Sequence, residues 1–209
     1  MTLRAPAGEA AEVAAFYDRM GIDCGLRFEG GEGRPFYHVA LLVPGDRFDA
    51  ALAWARERVD LLPGGERDEV VFEFANWNAL ATYFHDPAGN IVELIAHLGR
   101  EPSGRDGAFD GGELLGLSEV GLVGDPASLA GALAHLDLHL WDGALLPGRL
   151  AFVGDRARTF ILAPAGRGWL PTGRAAEPHP VRAILGGTVD AEVAVGGHHF
   201  LQKEQEPPV

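Results

Sequence analysis

One order of predicted elements recurs along the chain, and this repeat restricts the folds that the sequence can adopt. A short strand, an amphipathic helix and three further strands follow one another in residues 36–97, and the same order returns in residues 114–163. A trimmed copy occupies residues 1–30. A repeat of this kind indicates that each copy is one supersecondary unit, which buries its apolar face against another copy.

The helix in each complete copy is marked by apolar residues three and four positions apart. This spacing predicts a helix with one apolar stripe that packs on a core. Asp46 and Asp125 precede the two helices and are predicted to cap their N-termini. The stripes consist of Phe48, Ala51, Leu52 and Ala55 in the first complete copy, and of Leu129, Ala132, Leu133 and Leu136 in the second.

The charge of the chain excludes several classes of partner. Lys and Arg number 17 against 30 Asp and Glu, which gives a net charge of −13. A surface with this negative charge repels phosphate backbones and anionic lipids. We therefore expect neither nucleic acid nor a membrane as partner. The one cysteine, Cys24, allows no intrachain disulfide and no Cys-rich zinc cluster. Since no apolar signal segment is found, we expect a cytoplasmic protein.

Residues 77–95 contain an aromatic strand, then Asp86-Pro87-Ala88-Gly89-Asn90, then Ile91-Val92-Glu93-Leu94. This pattern resembles the end of a module of the vicinal oxygen chelate superfamily, which includes glyoxalases, extradiol dioxygenases and bleomycin-resistance proteins. The strand at residues 37–44 is similar to the start of the same module. The resemblance is specific for residues 36–97, fair for residues 113–163 and faint beyond them.

The resemblance implies an α+β fold of tandem βαβββ modules. Their curved mixed sheets would form an open, barrel-like cavity, with the helices outside. We predict one part over residues 1–100, with the trimmed unit and the complete module 36–97, and another over residues 113–209, with the second module and extra C-terminal strands. The Gly-rich stretch 98–112 is predicted to link them. The superfamily pairs modules within or between chains, so a homodimer is a further expectation.

The resemblance also implies a divalent metal ion, Fe, Mn, Ni or Zn, held between two modules. Each module offers a ligand from its first strand and a Glu from its fourth, and here these are His38 and Glu93. Apart from the family, an imidazole and a carboxylate on neighbouring strands form half of a divalent-metal site. Glu93 stands in an apolar run where an unpartnered buried carboxylate would be costly.

The other half of the site depends on which unit pairs with this module. Pairing with residues 113–163 makes Glu119 the third ligand and puts Ile161 where a second Glu would stand. Pairing with the N-terminal unit makes Glu29 the third ligand instead. The sequence leaves both pairings open, and Glu119 and Glu29 are the two candidates for a catalytic role.

Phe36, Trp77, Tyr83 and Trp169 are predicted to line the cavity of such a protein. The implied function is that of a metal-dependent lyase, isomerase or dioxygenase that acts on a small oxygen-bearing molecule. An extradiol dioxygenase would use two His and one Glu, and no second His stands at a matching position. The alternative is a metal-free protein that sequesters a small ligand, as bleomycin-resistance proteins do, and the absence of a Glu at Ile161 favours it.

Overall fold

The computed structural model describes residues 1–64 and 69–204. Residues 65–68 of the predicted central module and residues 205–209 of the predicted C-terminal part lie outside the described residues. No described helix is both long and apolar enough to cross a bilayer. The cytoplasmic location and the homodimer stay predictions.

The predicted order of elements is found in each copy. The N-terminal unit contains β1 (Thr2–Pro6), α1 (Ala10–Arg19) and β2 (Arg27–Gly31). The central module contains β3 (His38–Val43), α2 (Phe48–Arg56), β4 (Phe72–Phe74), β5 (Ala79–His85) and β6 (Ile91–His97). The next module contains β7 (Leu117–Val123), α3 (Pro126–Ala134), β8 (Leu140–Gly143), β9 (Ala151–Gly154) and β10 (Thr159–Ala163).

The remaining described strands follow the second module. A short hairpin consists of β11 (Gly168–Trp169) and β12 (Arg174–Ala175). Three closing strands are β13 (Arg182–Gly187), β14 (Ala191–Val195) and β15 (His198–Glu204). The described residues also form 3-10 helices at Ala75–Trp77 and Gly111–Glu113.

A mixed eight-stranded sheet joins the two complete modules in the order β4-β5-β6-β3-β7-β10-β9-β8. At its centre β3 runs antiparallel to β7. Each of these strands is flanked by the parallel strand that closes its own module, β6 or β10. The sheet curls into a half-barrel, and the predicted fold class is therefore confirmed.

A smaller sheet has the order β14-β15-β13-β1-β2. The N-terminal unit therefore pairs with the closing strands of the chain and not with the central module. The central module pairs with residues 113–163, which is the first of the two arrangements that the sequence allows. Both sheets take strands from each side of residues 100–113, and the predicted division of the chain there stays a prediction.

The eight-stranded sheet separates two apolar clusters because side chains alternate along each strand. Ala40 of β3 belongs to the cluster on the inner face, together with Tyr83 and Ile161. The residues on either side of Ala40 belong to the cluster on the outer face, where the three helices pack, as predicted. That outer cluster includes Val39, Leu41, Val13 of α1, Ala51 of α2 and Leu129 of α3.

The predicted linker, residues 98–112, is anchored to the central module. Arg47 is buried at the start of α2, and its Nε lies 3.1 Å from Oε2 of the buried Glu113, just beyond the linker. Asp46 accepts hydrogen bonds from two backbone N–H groups of the linker, so the prediction that it caps α2 is wrong. The side chain of Asp125 caps α3 as predicted.

Candidate metal centre

The strand register brings His38, Glu93 and Glu119 to one place on the inner face of the large sheet. Ala40 of β3 lies opposite Glu93 of β6 on one side and opposite Glu119 of β7 on the other. Residues paired across strands share a face, so the two carboxylates flank Ala40, and His38 lies two residues earlier on the same face. On β3 only the methyl group of Ala40 lies between the two carboxylates.

The turn between β5 and β6 fixes this register. The Asp86 carboxylate accepts hydrogen bonds from the backbone N–H groups of Ala88 and Asn90, both at 3.0 Å. The side-chain carbonyl of Asn90 accepts one from the backbone N–H of Tyr37 at 2.8 Å. Gly89 has a φ of 81°, a conformation that favours glycine. The Asp-Pro-x-Gly-Asn motif thus ties the start of β6 to the residue before His38.

The three side chains are buried and close together. His38 Nε2 lies 3.3 Å from Glu93 Oε2, and one potential ligand atom from each of the three residues lies within 4.8 Å of the others. None of the three is more than 4% exposed. His38 Nδ1 and Glu119 Oε1 are buried without a hydrogen-bond partner among the described residues. The described protein groups therefore leave part of the hydrogen-bonding capacity of the cluster unused.

Burial disfavours the charged form of each of these groups. Desolvation lowers the pKa of His38 to about 4, although the charge of Glu119 opposes this shift. Desolvation raises the pKa of Glu93 to about 8, opposed by an interaction with the Tyr83 hydroxyl. Desolvation and the charge of Glu93 raise the pKa of Glu119 to about 8. At neutral pH the protein by itself therefore favours a neutral imidazole and protonated carboxyl groups.

One imidazole and two carboxylates form a donor set that fits a divalent cation. Such a cation would neutralise the negative charges of the two carboxylates and could bind Glu119 Oε1, which has no hydrogen-bond partner among the described residues. Three protein ligands leave coordination positions open, as in catalytic zinc sites. Ile161 lies opposite Gly121 in the β7–β10 register, as Glu93 lies opposite Ala40. An apolar side chain therefore stands where the symmetry of the modules would place a fourth ligand.

The three side chains border a cavity of about 160 Å³. Trp77, Tyr83 and Trp169, three of the four aromatic residues predicted to line it, do so. Phe36 is not among the described lining residues. It is buried in the same apolar cluster, where the Arg174 guanidinium carbon lies 3.3 Å from the centre of its ring.

Trp169 forms one wall of the site. Its ring stacks on the His38 imidazole, with ring centroids 5.0 Å apart and planes inclined by 21°. Gly121 of β7 makes room for the indole, since a Cβ at this position would lie 2.8 Å from a ring carbon of Trp169. The orientation of the His38 ring is thus constrained by an aromatic neighbour as well as by Glu93.

Five other lining residues were not predicted from the sequence. Phe152 alternates in burial with Ala151 and Val153 in β9, but all three are apolar, so the sequence shows no period of two that identifies its face. No periodicity defines the path of the Pro-rich loop 164–180 either. The five are Phe74, Leu150, Phe152, Arg167 and Leu170.

The structure does not bring Glu29 to the cluster. Glu29 lies on β2 in the smaller sheet, 48% exposed in its side chain and ion-paired with Arg182. Of the two third ligands that the sequence allows, Glu119 is the one beside His38 and Glu93. A larger cavity of about 620 Å³ adjoins Cys24, and no described group of three His, Cys, Asp or Glu residues with metal-binding geometry lies there.

Comparison with known proteins bears on the fold. No protein-family model matches the sequence, and no curated protein matches it significantly. A structure from Bacillus subtilis, provisionally assigned as a dioxygenase, matches 99% of this chain and 84% of its own length, with 14% identity and a TM-score of 0.55. A glyoxalase I variant from Zea mays matches 96% of this chain and 92% of its own, with 12% identity and a TM-score of 0.52. Together with the paired βαβββ modules, these likenesses show that the chain has the vicinal oxygen chelate fold.

Proposed function

We propose that the protein is a divalent-metal-dependent enzyme that acts on a small molecule with two neighbouring oxygen atoms. The observation that carries this proposal is the convergence of His38, Glu93 and Glu119, whose ligand atoms lie within 4.8 Å of one another. A bound divalent ion would supply Lewis-acid polarisation of the substrate oxygens. The dioxygenase and glyoxalase assignments belong to the matched structures, and they are compatible with this chemistry.

The protein side chains would have separate tasks in such a site. His38 and Glu93 would hold the ion from adjacent parallel strands, and the Trp169 ring covers one face of the imidazole. Glu119 would supply the second carboxylate and the third ligand. Its Oε1 has no hydrogen-bond partner among the described residues, so this atom is placed to bind the ion or to accept a proton from the substrate.

The volume of the cavity limits the size of the substrate. It measures about 160 Å³, and a cavity of about 150 Å³ holds one benzene ring. The walls include Trp77, Phe152 and Trp169, which suit the faces of a flat or apolar body. We therefore expect a substrate of about one six-membered ring. The single His in the ligand set favours a lyase or isomerase over a ring-cleaving dioxygenase.

A metal-free binding protein of the bleomycin-resistance type is the second candidate, and Ile161 favours it. This residue gives an apolar surface at the position of a fourth ligand. The raised pKa values of Glu93 and Glu119 also favour uncharged carboxyl groups at neutral pH. Such a protein would hold its ligand by stacking and hydrogen bonds alone.

Metal content distinguishes the two candidates. Protein purified without a metal-affinity tag and dialysed against Fe, Mn, Ni or Zn should retain about one ion per chain by elemental analysis. Glu93→Gln and Glu119→Gln should lose it, because each removes an anionic ligand. Glu29→Gln is the matched control, since it neutralises a carboxylate on the other sheet, and it should retain the ion. A wild type that binds none of the four metals would contradict the enzyme proposal and leave the metal-free binder.

A further inference from the structure

Arg167 brings a positive charge to a cavity whose other walls are apolar, aromatic or acidic. It is the one Lys or Arg among the described residues that line this cavity. In a chain of net charge −13, several arginines are ion-paired with nearby carboxylates, for example Arg158 and Arg182. Arg167 has no such pair with any described carboxylate. Its charge is therefore available to a molecule in the cavity.

The backbone that carries Arg167 is held in place. Its N–H donates to the Pro164 carbonyl at 3.2 Å, and its carbonyl accepts from the Ala176 N–H at 2.8 Å. The guanidinium donates one hydrogen bond among the described residues, to the Gly168 carbonyl. Since a guanidinium has five donor hydrogens, most of them have no acceptor among the described residues. An arginine with spare donors, carried at a cavity wall on a hydrogen-bonded backbone, is suited to bind a carboxylate.

We infer that Arg167 selects substrates that carry an anionic group, a carboxylate in the simplest case, in addition to the two oxygens bound at the metal centre. The inference rests on the proposed function and names the substrate class: a small acid with neighbouring oxygens on a ring-sized body. Glu93 and Glu119 line the same cavity as Arg167. A carboxylate would be attracted by the arginine and repelled by ionised glutamates, so these charges favour an acid whose carboxylate lies at the arginine.

Two probes that differ by one carboxylate test the inference: catechol and 3,4-dihydroxybenzoate. Each is titrated into the full-length protein loaded with Zn²⁺, and tryptophan fluorescence is followed because Trp77 and Trp169 line the cavity. We expect the acid to bind at least about tenfold more tightly, as one charge-assisted hydrogen bond provides. In Arg167→Met the ratio should fall to about one with little change for catechol. Arg105→Met, which removes an exposed arginine, should keep the wild-type ratio.

The zinc content of the same samples separates this inference from the proposed function. Wild type with one Zn²⁺ per chain and no preference for the acid would overturn the role of Arg167 and leave the metal centre intact. A preference that survives in Arg167→Met would overturn it equally. Arg167→Lys keeps the charge and should retain part of the preference. If the wild type takes up Fe, Mn or Ni but no Zn²⁺, the titration is made with that metal. A wild type that takes up none of the four metals would overturn the proposed function and this inference together.

Discussion

Metal-free protein should lose stability as the pH rises through neutrality. The pKa values of Glu93 and Glu119 are about 8 in the folded state, against an ordinary value of 4.5. Between these values the folded state binds more protons than the unfolded chain, so the free energy of unfolding falls as the pH rises. The pKa of His38, lowered to about 4 from 6.5, has the opposite effect, confined to the range below 6.5. Above pH 6.5 the carboxyl groups therefore act unopposed by this histidine.

The size of the effect follows from these shifts. From pH 6.5 to 7.5, each carboxyl group that stays protonated in the folded state lowers the free energy of unfolding by about 1.4 kcal/mol. For a chain of this length, 1 kcal/mol corresponds to roughly 2–4 °C in the melting temperature. One carboxyl group thus lowers the melting temperature by roughly 3–6 °C over this single pH unit.

Thermal unfolding followed by circular dichroism in EDTA measures the effect. Wild type is compared at pH 5.5, 6.5 and 7.5 with a Glu93→Gln, Glu119→Gln double variant, which has similar side-chain shapes but cannot titrate. The decline between pH 6.5 and 7.5 should be larger in wild type than in the variant. Added Zn²⁺ should stabilise wild type more at pH 7.5 than at pH 6.5, since metal binding competes with protons. Parallel pH profiles for the two proteins in EDTA would refute the reasoning.

Three further perturbations test the packing around the site. Gly121→Ala should displace the Trp169 ring, change its fluorescence and lower the free energy of unfolding in denaturant by about 1–3 kcal/mol. The control Gly131→Ala, in an open position on α3, should leave the free energy of unfolding unchanged or raise it by about 0.5–1 kcal/mol. Equal losses of stability in the two variants would contradict this. Ala40→Leu should fill the space between the two carboxylates and abolish metal uptake in elemental analysis, and full uptake would show that the ligands do not converge there. Arg47→Met should cost about 3–5 kcal/mol in denaturant unfolding, because it leaves its carboxylate partner buried without a counter-charge; a loss as small as that at an exposed arginine would count against this.

The sequence predicts half of the candidate site from local signals. His38 and Glu93 lie on strands of one module, and the turn motif that begins at Asp86 fixes their register by local hydrogen bonds. The place of Glu119 depends instead on the antiparallel pairing of β3 with β7, a contact between modules that no local periodicity encodes. Arg167 lies in a loop that long-range hydrogen bonds tie to the central module, from the Arg174 guanidinium to the Gly89 carbonyl and from the Tyr37 hydroxyl to the Pro180 carbonyl. Local pattern thus predicts the elements, and long-range pairing decides which side chains meet.

The pairing of β3 with β7 also divides the candidate metal ligands between two modules. His38 and Glu93 belong to one module and Glu119 to the other, so an ion bound by all three would cross-link the two modules. Neither module could be assayed alone, because each would carry an incomplete ligand set. The rate at which a chelator extracts the ion would report how often the β3–β7 pairing opens. A truncation or an applied force that separates the modules would be detected first as loss of the bound metal.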